Sequence, residues 1–127
     1  MNEELIKYME LIQTFDKDAS QDGTALNSYL IELTNFMARA NFIMAEKKRE
    51  IRQSKIKAYQ HIVKWHGEGK YFAPSLAKDY VDSLSYEASY TYDLAERCSR
   101  LCTHAIEAVR SILMSLMNER KFANYAN

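Results

Sequence analysis

Apolar residues in this chain recur at three- and four-residue steps almost from end to end, the spacing of helices that bury one face. Leu5, Tyr8, Met9, Ile12 and Phe15 mark a first helix over about 2–15. The stretch DKDASQDGT follows, rich in Asp, Ser and Gly, and reads as a loop. Thr24 is placed to cap a second helix over about 25–66, where neither Gly nor Pro occurs. Its seam runs Leu26, Leu30, Leu33, Met37, Ala40 and Met44, then Lys47, Ile51, Ser54 and Ala58, in alternating steps of four and three. The break GEGKYFAPS comes next. Gly67 suits a helix C-terminus, and Pro74 with Ser75 suits a helix start. A third helix over about 75–122 carries the seam Val81, Leu84, Ala88, Thr91, Ala95, Cys98, Cys102, Ala105, Val109, Ile112 and Leu116.

Two long helices joined by a short loop make an antiparallel hairpin. The fold class expected is therefore all-α: a long antiparallel helical hairpin plus a short N-terminal helix, forming one domain over 1–127. The short helix is expected to pack over the open end, near the C-terminus of the third helix. Apolar positions beside the seam widen it on both helices: Tyr29, Phe36 and Ile43 on the second, Leu94, Leu101, Leu113 and Met117 on the third. Two helices alone cannot cover stripes this wide. Completion of the bundle by self-association, and hence a homo-oligomer, is the expectation.

Composition agrees with few, long elements. The 127 residues include three Gly and one Pro, too few for the many turns of a β-rich domain. The longest apolar runs fall far short of the roughly 20 residues that span a bilayer. The acidic, amphipathic N-terminus MNEELIKYMELIQ does not read as a secretory leader. A cytoplasmic setting without membrane contact is expected, with both cysteines as free thiols.

Charge changes the picture locally. Basic and acidic residues balance at 17 each, unlike a protein that coats nucleic acid. Yet Met44 to Lys57 holds Lys47, Lys48, Arg49, Arg52, Lys55 and Lys57 against Glu46 and Glu50. A hairpin turning near residue 70 sets this run opposite Leu84 to Arg97. There Asp79, Asp82, Glu87, Asp93 and Glu96 oppose Lys78 alone across 78–96. Pairing between these two blocks, within the chain or between copies, is the first expectation. Phosphate tracking by Lys47, Lys48, Arg49, Arg52 and Lys55 is the alternative.

Other chemistry is sparse. Cys98 and Cys102 both fall on the seam among Ala88, Thr91, Ala95 and Ala105, where a thiol behaves as a small buried apolar group. A metal site needs about four ligands, and His104 projects about 200° around the helix from Cys102. No metal, cofactor or catalytic residue is expected, and no glycine-rich phosphate loop occurs. Trp65, Tyr71, Phe72, Tyr80, Tyr86 and Tyr90 gather toward the loop end. They form either an aromatic patch for a partner or a cap with its hydroxyls in water.

The C-terminal third contains His104, Ile106, Glu107, Ala108, Arg110, Ser111, Ile112 and Leu113, then Glu119-Arg120-Lys121, after an acidic-aromatic helix start. This pattern resembles the ends of small all-helical bacteriophage and prophage proteins, often encoded near recombination or replication genes. The resemblance implies a phage accessory role in the host cytoplasm, with a host or phage protein as partner. The functional expectation is thus a non-catalytic protein-binding module. Nucleic-acid binding in phage recombination or replication is the alternative, and small-nucleotide binding at the aromatic end a third.

Overall fold

The computed structural model describes residues 1–15 and 22–126. Most of the loop expected after the first helix, 16–21, lies outside them. Four helices are present among the described residues: α1 (Asn2–Thr14), α2 (Gly23–Gly67), α3 (Pro74–Leu84) and α4 (Tyr86–Ala126). No strand occurs among the described residues. The all-α hairpin is as expected, with α2 running antiparallel to α3 and α4. Three side-chain contacts mark the register: Ser99 Oγ to Asn41 Oδ1 at 2.8 Å, Thr103 Oγ1 to Met37 Sδ at 3.6 Å, and the His61–Tyr80 pair at 3.0 Å.

Helix ends follow local chemistry, with two corrections. The N-cap of α2 is Asp22 rather than Thr24; its carboxylate accepts the Thr24 amide at 3.0 Å. Gly67 stays helical, and the left-handed residue is Gly69, at φ 84°. Gly69 N–H donates to His66 C=O and Lys70 N–H to Trp65 C=O, the paired bonds of a Schellman ending. An L side chain resists that φ, so the glycine two places further on takes the role. Pro74 opens α3 at its first turn, as expected.

The expected third helix is interrupted at Ser85. Ser85 N–H turns back to Asp82 C=O at 3.3 Å, and its Oγ lies at the same distance from that carbonyl. Ser83 Oγ likewise donates to Tyr80 C=O at 2.7 Å. Serines that bond the preceding turn compete with the regular helical ladder. One consequence is a change of inward residue: Ser85 is buried, whereas Leu84 is exposed. A three–four count carried unbroken from Val81 to Ala88 picks the wrong one.

The rest of both seams is buried or half-buried as the periodicity requires. The position of α1 differs from expectation. It does not cover the C-terminus of α4 but lies along its middle, parallel to it. Asn2 meets Thr91 at one end, and Ile12 and Phe15 sit beside Leu101 and Ala105 at the other. Leu5 and Ile12 are buried against the small residues Ala95, Cys98, Cys102 and Ala105. That low surface brings α1 closer to α4 than to α2. On the α2 side, large rings fill the wider gap: Tyr8 stacks on Phe36 at 4.3 Å and Phe15 on Tyr29 at 3.7 Å. The widened stripe at Tyr29, Phe36, Ile43, Leu94 and Leu101 is therefore packed within the chain. Of the other two positions, Leu113 is half-buried and Met117 is exposed.

Candidate functional site

The core ends about halfway along the hairpin. Beyond Ile43 and Thr91, α2 faces only α3 and the start of α4. The buried residues in that distal half are Ala58, Val81 and Ser85. Large apolar side chains stay in water there: Ile56, Tyr59 and Val63 on α2, Leu76 and Leu84 on α3, Tyr86 and Tyr90 on α4.

The tip of the hairpin is closed by aromatic rings. Trp65 packs against Phe72 at 5.3 Å, Tyr80 at 5.2 Å and His61 at 5.7 Å between ring centres. The Tyr80 hydroxyl and His61 Nδ1 are 3.0 Å apart. Tyr71 stands apart against His66, at 5.7 Å. Thus Trp65, Phe72 and Tyr80 come together, joined by His61, which sequence reasoning did not single out. The hairpin register places His61 opposite Tyr80, so that signal was present. Tyr86 and Tyr90 lie exposed, with no ring partner among the described residues. Beside the cluster, Ile62, Val63, His66, Gly67 and Phe72 line a shallow, open groove.

The basic run divides by helix face. Lys47 Nζ folds onto Glu50 at 3.0 Å on its own helix and is largely covered. Lys48, Arg49, Arg52 and Lys55 are exposed and form no ion pair among the described residues. The pairing of this run with the acids of α3 and α4 within one chain is accordingly not made. At 100° per residue, Lys48, Arg49, Arg52, Lys55, Tyr59 and Val63 fall within an arc of about 120°. That arc points away from Ile51, Ser54 and Ala58, which face the neighbouring helix. Basic and apolar side chains therefore share one outward face. Facing away from α3, those cations cannot reach its acids.

Among the described residues, the ion pair that joins two helices lies in the proximal half. Arg39 grips Glu4 with Nε to Oε1 at 2.7 Å and a second nitrogen to Oε2 at 3.3 Å. Tyr8 donates to Glu4 Oε1 at 2.6 Å. The Arg39 guanidinium, then the Tyr8 hydroxyl, hold the Glu4 carboxyl below its ordinary range. The same carboxylate, with burial, pushes Tyr8 up to about 12. Residues this far apart in the chain carry no mutual signal in sequence. The network pins α1 to α2.

Cys98 and Cys102 are fully buried free thiols, as their seam positions require. The hydrogen bond to Cys98, then burial, pushes the Cys102 thiol upward, toward its neutral form. Among the described residues no group of three or more His, Cys, Asp or Glu could hold a metal ion. No helix there is long and apolar enough to cross a membrane.

Comparison with known proteins adds no relative: no family model, curated protein or solved structure matches the chain.

Proposed function

We propose that this protein is a non-catalytic helical module that binds another protein through its distal half. The observation that carries the reading is the outward face of α2, where exposed Ile56, Tyr59 and Val63 continue directly from unpaired Lys48, Arg49, Arg52 and Lys55. Exposed apolar side chains beside a set of one-signed charges offer a contact core and a charged rim. The tip aromatics Trp65, Phe72 and Tyr80 stiffen that end, while Tyr71, Tyr86 and Tyr90 extend the contact area. An accessory role in a phage-infected cytoplasm, suggested by the C-terminal resemblance, remains part of this proposal. The test is photo-crosslinking in the cell from a benzophenone side chain at Val63, with Glu10 on α1 as the control position. A discrete protein adduct at Val63 and none at Glu10 is expected; no adduct at either would refute the reading.

The same four unpaired cations favour a second reading, nucleic-acid binding, with Tyr59 available for stacking. Gel shifts with single- and double-stranded DNA at two salt concentrations separate the two. Tight, steeply salt-dependent binding that disappears in Lys48→Glu/Arg52→Glu would replace the protein-binding reading. No shift at micromolar protein is the expected outcome.

A further inference from the structure

Each long arm of the hairpin carries a second heptad stripe, on the side opposite its seam. On α2 it runs through Phe42, Arg49, Arg52, Ile56, Tyr59 and Val63, with small Ala45 completing the three–four steps. All of these are exposed. Across α3 and α4 it runs through Leu76, Asp79, Tyr86, Tyr90, Asp93 and Arg97, with Ser83 filling the remaining step. These too are exposed. On α2 the stripe is sustained over three heptads, the pattern of a helix surface that packs on another helix, and on the other arm it is shared between α3 and α4 across the break at Ser85. Nothing among the described residues covers either one.

The two stripes carry opposite charge. The α2 edge is basic, through Lys48, Arg49, Arg52 and Lys55. The α3–α4 edge is net acidic, with Asp79, Asp82, Glu87 and Asp93 against Arg97. None of these charged groups is in an ion pair among the described residues. Two α2 edges would repel each other, and so would two α3–α4 edges. A two-fold contact of like with like is therefore disfavoured, and the complementary contact is α2 of one copy with α3–α4 of the next.

Geometry agrees. Copies set side by side in one orientation bring these edges together antiparallel, the same sense as within the hairpin. Sliding the edges to within a residue or two of the internal register matches the stripes step for step. Val63 then falls against Leu76, Tyr59 against Asp79, and Arg52 against Tyr86 and Glu87. Arg49 falls against Tyr90, and Phe42 against Arg97. The five named positions pair favourably, as apolar on apolar, hydroxyl on carboxylate, and guanidinium on carboxylate or ring, while the same register sets Ile56 against Ser83 and Ala45 against Asp93.

We infer that the outward face of α2 docks the outward α3–α4 face of a second copy of this chain, side by side in the same orientation. This names the partner of the proposed binding face and rests on that reading. The contact is head-to-tail, so it closes into a ring or continues as a row, according to the turn between neighbours. Because α1 lies on the hairpin between α2 and α4, it leaves both outer edges open.

Sedimentation velocity of the full chain, from low micromolar to several hundred micromolar, tests the inference. Assembly is expected to grow with concentration and to weaken at high salt. Arg49→Glu/Arg52→Glu and, separately, Glu87→Lys/Asp93→Lys should each sediment as monomers, their dissociation constants raised roughly tenfold or more. Both should retain the helical circular dichroism of the parent. An equimolar mixture of the two reversed variants should assemble again, since acid then faces base at every contact; misfolded variants could not do this. A monomeric wild type, assembly indifferent to both reversals, or a mixture that stays monomeric would each overturn the inference. A monomeric wild type that still gives a Val63 adduct with a different protein would remove the second copy and leave the binding reading standing. A monomeric wild type without that adduct would remove both.

Discussion

The two halves of the hairpin are built from the same kind of helix and differ in almost everything else. In the proximal half three helices meet, and Leu5, Leu26, Leu33, Ile43 and Val109 are fully buried around the paired thiols. In the distal half two helices meet over Ala58, Val81 and Ser85, and the larger apolar groups stand in water. The difference is the single strip of α1, which ends the solvent exposure of one side of α2 and α4 wherever it lies. A helix pair becomes a core where a third helix closes it, and remains a surface where none does. The packed core and the thinly packed helix pair thereby lie at opposite ends of the hairpin.

The strongest way to break this comparison is to cut matched holes in each half. Leu33→Ala should cost about 2–5 kcal/mol by urea denaturation, the range for a leucine lost from a packed core. Val81→Ala, in the thin half, should cost about 1 kcal/mol. Equal losses would mean that the two halves are packed alike.

The tip supplies the next test. Gly69→Ala forces an L residue into φ 84° and should cost about 1–2 kcal/mol. Gly67→Ala, at a helical position with open space around it, should be neutral or gain up to about 1 kcal/mol. The reverse order would return the helix ending to Gly67.

The α1 clamp adds a pH signature to the proximal half alone. The Glu4 carboxyl titrates below its ordinary value in the folded chain. Its contribution is therefore present above the unfolded carboxylate range and is lost as the pH falls through the lowered folded value. Glu4→Gln should remove up to about 1 kcal/mol at neutral pH, the scale of a partly exposed pair. It should also flatten the acid limb of a stability–pH curve. Wild type and variant that lose stability in parallel on acidification would assign the acid limb to other groups. The smallest effect is expected at the joint. Ser85→Ala removes a side-chain bond that competes with the helix and should change stability by a few tenths of a kcal/mol, within the range of a neutral substitution.

Much of the hairpin was legible in sequence because its signals are local. Three–four spacing marked the seams from Leu26 to Ala58 and from Thr91 to Leu116, and small residues at Ala95, Cys98, Cys102 and Ala105 marked a place of close approach. Where residues at a distance had to decide, the reading failed or was incomplete. The cover for Tyr29 and Phe36 is α1, where the width of the stripe had pointed to a second copy of the chain. The break at Ser85 is made by serine hydroxyls and lacks the Gly or Pro that announces most breaks. Opposed basic and acidic blocks were visible along the chain, yet the outward turn of Lys48, Arg49, Arg52 and Lys55 keeps them from meeting inside it. The same face was discernible in the exposed heptad running from Phe42 to Val63, beneath the louder one on the seam.

By itself, then, the order of residues determined that the chain makes long helices, where the hairpin turns, and which residues look inward along each arm except at the Ser85 break. Those properties follow from periodicity and from backbone preferences at Pro74 and the glycines around it, which act over a few residues. Only the tertiary structure decided that α1 lies on the middle of α4, that Glu4 is gripped by Arg39, and that the basic face is left unpaired. Those depend on which helix side reaches which neighbour, a matter of angle and distance between segments that no local pattern encodes.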